Sequence, residues 1–345
     1  MATDFEAEAA AQDEISKLKR ERDNLARQLF DVKHKHSDYL STVVEAVESC
    51  INGITIKPVK ASALRAPKGT GPEEVAIALL SDTQTGKITP DYNSDVCRDR
   101  VMRYAEKIVK ITNVQRADHP VRECVIPMLG DAGEGCDIFP GQQWLIDSTL
   151  YRQIFDTTPT IYVDFIRYLL QHFDTVRAVA VQGNHGRIGR KGMFGPEDNA
   201  DRMIYRVIKL MLRDEPRFTM DMADPQGERA WYKIMRVGNY SALLIHGDQI
   251  RGSMGYPFYG LGKKIHSWAS GGLGDDTFQD VMLGHWHQLA MVPMNKRKVW
   301  QNGSTESTNT FASEMLAAQS DPSQWLLFCD PEQGRITASY GVDLR

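Results

Sequence analysis

The sequence predicts an α/β domain of two stacked mixed sheets flanked by helices, preceded by one long N-terminal helix. Early in the chain, apolar runs typical of buried strands alternate with helical patterns, and later such runs follow one another directly. Several of the runs end in a short polar motif containing Gly, Asp, Asn or His. The N-terminal segment has a seven-residue periodicity instead.

The N-terminal segment, residues 1–48, carries two rows of residues spaced seven apart. The rows are Ile15, Arg22, Leu29, His36 and Val43, and Leu18, Leu25, Val32, Tyr39 and Ala46. Such an a/d seam is typical of a coiled coil, which would make the protein a homo-oligomer. The alternative is one amphipathic helix lying on the main domain. Residues 49–72, rich in Pro and Gly, are expected to be a linker before a main domain at residues 73–345.

The main domain begins with a strand expected at Val75–Leu80, followed by a helix at about Asp95–Asn113. The stretches ECVIPMLGD, VRAVAVQGNH and DVMLGHWH repeat the design of a strand that ends in a motif. Two helices, QWLIDSTLYRQIF and IYVDFIRYLLQHF, are expected to be divided near Pro159, which lacks a backbone donor. A helix at about Asn199–Arg213 precedes a hairpin of WYKIMRVG and YSALLIHGD, and short strands complete the chain.

Composition indicates a soluble protein of the cytoplasm. The chain has 345 residues and a formal net charge of -4, which neither requires nor excludes nucleic acid as a partner. No segment is apolar enough to span a membrane. The five cysteines are widely spaced and odd in number, which favours a reducing compartment without disulfides.

Five motifs ending in metal-preferring side chains occur in order along the domain. They are Asp82-Thr83-Gln84, Gly130-Asp131, Gly183-Asn184-His185, His246-Gly247-Asp248 and Gly284-His285-Trp286-His287. Each follows a predicted strand, so the side chains should gather at one edge of a sheet. One motif alone is more often a simple turn, but all five together favour two divalent cations. Manganese suits this mixed oxygen and nitrogen set, and Mg, Zn or Fe also fit.

These motifs resemble those of the calcineurin-like metallophosphoesterase superfamily, D-x-H, G-D-x-x-D, G-N-H-D/E, a later His and G-H-x-H. The likeness covers about Ala76 to Ser304 and implies a four-layer α/β/β/α sandwich and a metal-dependent phosphoester hydrolase. By this resemblance the first metal is held by Asp82, Gln84, Asp131 and His287. The second metal is held by Asp131, Asn184, His246 and His285.

The same resemblance implies a mechanism in which a metal-bridging hydroxide attacks phosphorus while the catalytic His185 assists the leaving oxygen. Three positions depart from the family pattern. Gln84 replaces a His, so the first metal should be held less tightly. Gly186 replaces the acidic residue that orients the catalytic His, so a carboxylate for His185 must come from elsewhere. Glu134 replaces an Asp.

Basic residues beside the motifs are candidate contacts for a phosphate backbone. Arg187, Arg190, Lys191 and Arg251 are the expected substrate-binding residues, and Lys87, Lys263 and Lys264 should add charge at the mouth. Candidate stacking residues are Trp144, Tyr256, Phe258, Tyr259, Trp268 and Trp286. Ordinary solvated charges and packed aromatic rings are the alternative.

Within the superfamily the chain looks most similar to the DNA-repair exonuclease branch, the nuclease subunits of double-strand-break processing complexes. A DNA phosphodiesterase, with DNA as partner, is therefore the first hypothesis. A phosphatase or small-nucleotide phosphodiesterase is the second hypothesis. A non-catalytic scaffold protein that works through the coiled coil is the third.

Overall fold

The computed structural model describes residues 56–60, 69–189, 191–224, 229–252, 257–307 and 320–345, with residues 14, 17–25, 28, 45, 49 and 51. The chain divides into two compact units, Met1–Ser49 and Cys50–Arg345. In the first unit residues 17–25 are helical, and Leu18 and Leu25 of the expected seam are exposed. Most of the expected coiled coil lies outside the described residues, so self-association remains a prediction.

The larger unit contains two mixed β-sheets. The strands are β1 (Glu74–Ala78), β2 (Val121–Met128), β3 (Thr175–Ala180), β4 (Phe218–Met222), β5 (Tyr232–Val237), β6 (Tyr240–Ile245), β7 (Asp280–Leu283), β8 (Ala290–Met294), β9 (Arg297–Gln301), β10 (Ser323–Asp330) and β11 (Arg335–Asp343). The first sheet has the order β11-β10-β1-β2-β3-β4, and the second has the order β5-β6-β7-β9-β8. Strands β1 to β4 are parallel, and so are β6, β7 and β9.

The helices lie between the strands of each sheet in sequence. They are α1 (Ser94–Gln115), α2 (Thr158–Leu170), α3 (Ala200–Met211) and α4 (Phe258–Ser267), with short helical turns at Gln142–Trp144, Leu150–Arg152, Gln153–Thr157 and Trp268–Gly272. Asparagine side chains cap α1 and α3, where Asn93 accepts from the Val96 amide and Asn199 from the Asp201 amide. These caps fix where each helix begins.

Two layers of apolar side chains show how the sheets pack. Alternate residues of both sheets, such as Ile77 and Leu244, form a buried cluster between them. The other face of the second sheet packs against α4 through Leu261 and Ile265. On the first sheet, Ala76 is buried on the opposite face, where the helices pack. The predicted fold class, α/β with two mixed sheets in an α/β/β/α sandwich, is confirmed.

Most predicted elements of the larger unit are present, and the hairpin is confirmed. Val237 pairs with Tyr240 across a two-residue turn in which Gly238 has a φ of 55°. The break expected near Pro159 is wrong, because Pro159 lies in the first turn of α2, directly after the π-helical turn Gln153–Thr157. A proline is tolerated in a first turn, and the wider turn before it absorbs the irregularity.

Sequence patterns did not predict β4 or α4. Helix α4 contains Gly260 and Gly262, which weaken its intrinsic helical preference, and it is stabilised by its apolar contacts with the second sheet. The two last strands were expected only as short strands. They are long, and β10 pairs antiparallel with β1 in the first sheet.

The described part of the expected linker belongs to the larger unit and contacts the segment before β4. The Val59 amide donates to Glu215 Oε2 at 2.7 Å, and Arg217 donates to the Val59 carbonyl at 2.7 Å. Among the described residues, Cys97, Cys124, Cys136 and Cys329 are free thiols. No helix in the described ranges is long and apolar enough to cross a bilayer.

Candidate metal centre

The carboxyl ends of five strands bring the predicted motifs together. Asp82, Asp131 and Asn184 follow the neighbouring parallel strands β1, β2 and β3 of the first sheet. His246 and His285 follow the neighbouring strands β6 and β7 of the second. Because the two sheets are stacked, both sets of loops meet at one end of the sandwich.

Left-handed backbone conformations are concentrated in these loops. Among the described non-glycine residues, those with positive φ are Asp82, Gln84, Asp131, His285, His287 and Asn295. Five of these six belong to the motifs, and only Asn295 lies in a hairpin turn away from them. Such conformations are costly for residues with a side chain and cluster where function requires a particular direction. The local backbone is therefore shaped to aim these side chains.

His246 is the middle of a cluster of atoms that carry lone pairs. Its Nδ1 lies 2.7 Å from the Leu129 carbonyl oxygen and must donate a proton to it, so the lone pair of the neutral ring is on Nε2. That Nε2 lies 3.1 Å from Asp131 Oδ2, 3.0 Å from Asn184 Oδ1 and 3.2 Å from His285 Nδ1. His246 and Asp131 are almost fully buried.

This cluster, which we call the second position, fits a divalent cation. Carboxylate, amide oxygen and two imidazole nitrogens converge, and three of these residues form a group of potential ligands within 4.8 Å of one another. Two ligands at about 2.1 Å from one cation and at right angles lie about 3.0 Å apart, close to the distances seen here. A cation would satisfy acceptor atoms that otherwise face one another.

The expected site of the first metal, formed by Asp82, Gln84, Asp131 and His287, is called the first position. It differs from the second position because the side-chain oxygen of Gln84 faces Lys87. The Lys87 ammonium lies 3.0 Å from Gln84 Oε1 and 2.7 Å from Glu306 Oε1. Glu306 Oε2 lies 3.2 Å from His287 Nδ1, and His287 Nε2 lies 3.3 Å from Asp82 Oδ1. Gln84 Nε2 lies 3.3 Å from the same His287 nitrogen. The Gln84 oxygen thus faces Lys87, and a ligand role for Gln84 stays a prediction.

Lys87 was expected at the mouth of the site because it follows the first motif. It lies inside the centre instead. Only 8% of it is exposed, and its charge is held inside the centre by Glu306. Glu306 itself was missed because it lies beyond the last motif, in the loop after β9. An acidic residue there gives no sequence signal by itself.

Glu134 supplies the carboxylate that His185 needs. His185 Nδ1 lies 2.8 Å from the Glu134 carbonyl oxygen and 3.2 Å from its Oε2, so Nδ1 carries a proton and Nε2 is left for a substrate. Gln142 Nε2 donates to Glu134 Oε1 at 2.9 Å and fixes the carboxylate. Glycine is needed at position 186 for a steric reason, since a Cβ there would lie 2.4 Å from Asn199 Oδ1.

Asp201, in the first turn of α3, was not predicted and holds two of the motif loops in place. Its Oδ2 accepts from the Asp131 amide at 2.9 Å and from the Gly183 amide at 2.7 Å, while Oδ1 accepts from Ala132. Gly183 is required beside it, because a Cβ there would lie 2.1 Å from Asp131 Oδ1. The first motif is fixed by Ser304, whose hydroxyl donates to the Asp82 carbonyl at 2.6 Å.

The buried carboxylates dominate the electrostatics of the centre. Burial raises the pKa of Asp131, but His246 and His185 outweigh this effect and hold its pKa well below the usual range. Burial lowers the pKa of His246, but Asp131 outweighs it and raises the pKa to about 10. In His285, burial and the neighbouring His246 lower the pKa to about 4. Positive charge is thus stabilised at the second position, where protons and cations compete for the same lone pairs.

The expected substrate-binding residues are only partly free for a ligand. Arg187 pairs with Asp248, and Lys191 lies 3.7 Å from the same carboxylate with 73% of its side chain exposed. Arg251 is exposed. Arg190 lies outside the described residues.

The expected stacking residues divide into exposed and packed ones. Trp144 and Tyr259 are each 87% exposed, and Phe258 is 54% exposed. Trp268 and Trp286 belong to the apolar cluster of the second sheet and are packing residues. Tyr256 lies outside the described residues.

No protein-family model matches the sequence, and no curated protein matches it. Among solved structures, the chain is similar to zinc-bound Vps29 of Entamoeba histolytica, with 12% identity and a TM-score of 0.37 over 78% of this chain and 99% of that one. It is also similar to a predicted phosphoesterase of Streptococcus pneumoniae, with 11% identity and a TM-score of 0.33 over 79% and 99%. The phosphoesterase YfcE of E. coli gives 11% identity and a TM-score of 0.31 over 78% and 100%.

Proposed function

We propose that the protein is a metal-dependent phosphoester hydrolase and that its substrate is DNA. The main support is the convergence of Asp131, Asn184 and His285 on His246 Nε2 at 3.0–3.2 Å. A divalent cation held there would neutralise charge on phosphate oxygens and would lower the pKa of a coordinated water. The motif order and its resemblance to metallophosphoesterases point to a phosphate rather than to a peptide substrate.

His185 is the proposed catalytic residue. Its amide donates to Asp131 Oδ1 at 2.8 Å, which places the residue directly beside the second position. Burial lowers the pKa of its imidazole, but Asp131 and Glu134 outweigh this and raise the pKa to about 9. With Nδ1 fixed by Glu134, the protonated Nε2 can donate to a phosphate oxygen or to the leaving alkoxide.

DNA is favoured over a small phosphate ester by an exposed aromatic and basic surface at the start of α4. The Arg251 backbone approaches this helix so closely that a Cβ on Gly260 would lie 2.3 Å from the Arg251 carbonyl oxygen. Exposed Tyr259 and Phe258 therefore lie near the backbone of Arg251, an exposed residue on the chain that leaves the His246 loop. Stacking surfaces beside cations suit single-stranded nucleic acid.

The proposal is tested by a substrate panel with Mn²⁺: labelled single- and double-stranded DNA, a generic phosphodiester and a generic phosphomonoester. We expect cleavage of DNA and of the diester, complete loss with excess EDTA and recovery when Mn²⁺ is restored. Monoester turnover without DNA cleavage would support the phosphatase hypothesis instead. A chain inactive on every substrate with Mn²⁺, Mg²⁺ and Zn²⁺ would leave the scaffold hypothesis.

The contribution of the α4 surface is tested with the double variant Arg251→Ala/Tyr259→Ala. We expect DNA cleavage to fall by about 10–100-fold, because one base-stacking contact and one phosphate contact are lost, and binding to become less salt-dependent. Hydrolysis of the generic diester should remain at the wild-type rate. The matched control is Arg335→Ala/Tyr340→Ala on β11. Equal effects of the two double variants on DNA cleavage would contradict a role for this surface.

A further inference from the structure

The residues of the first position form a closed hydrogen-bonded network instead of an open set of ligands. An ammonium group can only donate, so the Gln84 atom at 3.0 Å from Lys87 Nζ is the carbonyl oxygen. The amide nitrogen of Gln84 must then face inward, toward His287. An amide nitrogen cannot bind a cation, so Gln84 presents hydrogens where a ligand atom is needed.

Both ring nitrogens of His287 are also engaged by neighbouring side chains. Its Nδ1 faces Glu306 Oε2 at 3.2 Å and carries a proton, so the lone pair of a neutral ring would be on Nε2. That Nε2 lies 3.3 Å from the Gln84 amide nitrogen, which can donate to it. The same Nε2 lies 3.3 Å from Asp82 Oδ1, so it donates to this carboxylate when the ring is protonated and accepts from Gln84 when the ring is neutral. In both states Nε2 already has a partner.

The Lys87 ammonium is held in this network by burial and by its ion pair. It is nearly buried and paired with Glu306, which is itself only 3% exposed. Removing either charge alone would leave the other buried without its partner, which is costly. Rotating the Gln84 amide to turn its oxygen inward would place the NH₂ group against the ammonium.

We propose that Lys87 is a positioning residue that turns Gln84 away from coordination, so that the centre holds one tightly bound divalent cation, at the second position. This inference rests on the proposed function only for the use of that cation. The positive charge of Lys87 stands beside the first position and further disfavours a cation there.

The test is the number of Mn²⁺ ions bound, measured by isothermal titration calorimetry and by electron paramagnetic resonance of free Mn²⁺. We expect about one tight equivalent per wild-type chain, and no spin-coupled Mn²⁺ pair. The double variant Lys87→Met/Glu306→Gln removes both buried charges together and should gain a second equivalent. The variant Gln84→His should also bind a second equivalent, because it supplies a ligand nitrogen. Lys110→Met, at an exposed lysine of α1, should stay at one.

Two tight equivalents and a coupled signal in the wild-type chain would overturn the inference and leave the proposed hydrolase intact. Unchanged stoichiometry in both Gln84→His and the double variant, with native circular dichroism, would overturn it as well. The substrate panel decides the proposed function separately, because the stoichiometry is measured without any substrate. A wild-type chain that binds one cation but hydrolyses nothing would support the inference and contradict the function.

Discussion

Asp131→Asn is expected to abolish divalent cation binding and to lower phosphoester hydrolysis by more than about 10³-fold. Asp131 supplies the one carboxylate oxygen that faces His246 Nε2, at 3.1 Å, and no other acid of the described centre faces that atom as closely. An asparagine keeps the size of the side chain but removes the negative charge that attracts a cation.

The substitution should not unfold the chain. Asp131 has a φ of 52°, and asparagine is among the residues that tolerate this left-handed conformation. Its amide oxygen can still accept from the His185 amide. The measurements are Mn²⁺ binding, hydrolysis of DNA and the generic diester, and thermal unfolding, with Asp156→Asn on an exposed turn as the matched control. Full activity of Asp131→Asn would end the assignment of this centre.

His185→Ala is expected to lower kcat by about 10²–10⁴-fold, which is typical when a general acid or base is lost. Metal binding should be unchanged, because the contact of His185 with Asp131 is made by its backbone amide, which alanine keeps. The expected result therefore separates proton transfer from cation binding, which Asp131→Asn cannot do.

Glu134→Gln is the companion variant, since it keeps the shape of the side chain and the bond from Gln142 can be preserved. It should reduce kcat less than His185→Ala, because the Glu134 backbone carbonyl still holds Nδ1. The measurements are single-turnover rates and Mn²⁺ affinity for each variant. A loss of Mn²⁺ binding in His185→Ala equal to the loss of activity would contradict the role given to this imidazole.

Sequence patterns predicted the strands that end in motifs because buried parallel strands are continuous apolar runs with a polar residue at the end. The order of strands and motifs along the chain was therefore enough to predict that Asp131, Asn184 and His246 lie close together. Glycines at the motifs were equally informative. A Cβ on Gly284 would lie 2.3 Å from Asp82 Oδ2, so the residue is needed for close packing at the centre.

Sequence patterns did not predict the direction in which a side chain near a motif points. Lys87 and Arg251 each follow a motif by a few residues, but one is buried against Glu306 and the other is exposed. Their surroundings come from loops far away in the chain, so no local pattern distinguishes them. Asp201 was missed for the same reason, because an acidic residue in a first helical turn is common without any further role.

The position of β10 beside β1 has a consequence for how the protein is made. Gln324 on β10 accepts from the Ser81 amide at 3.1 Å and donates to the Ser81 carbonyl at 3.1 Å, next to Asp82. These bonds join segments that leave the ribosome far apart in time, and pairing them requires closure of a very long loop. A nascent polypeptide therefore cannot fix Asp82 through these bonds until β10 has been translated and has paired with β1.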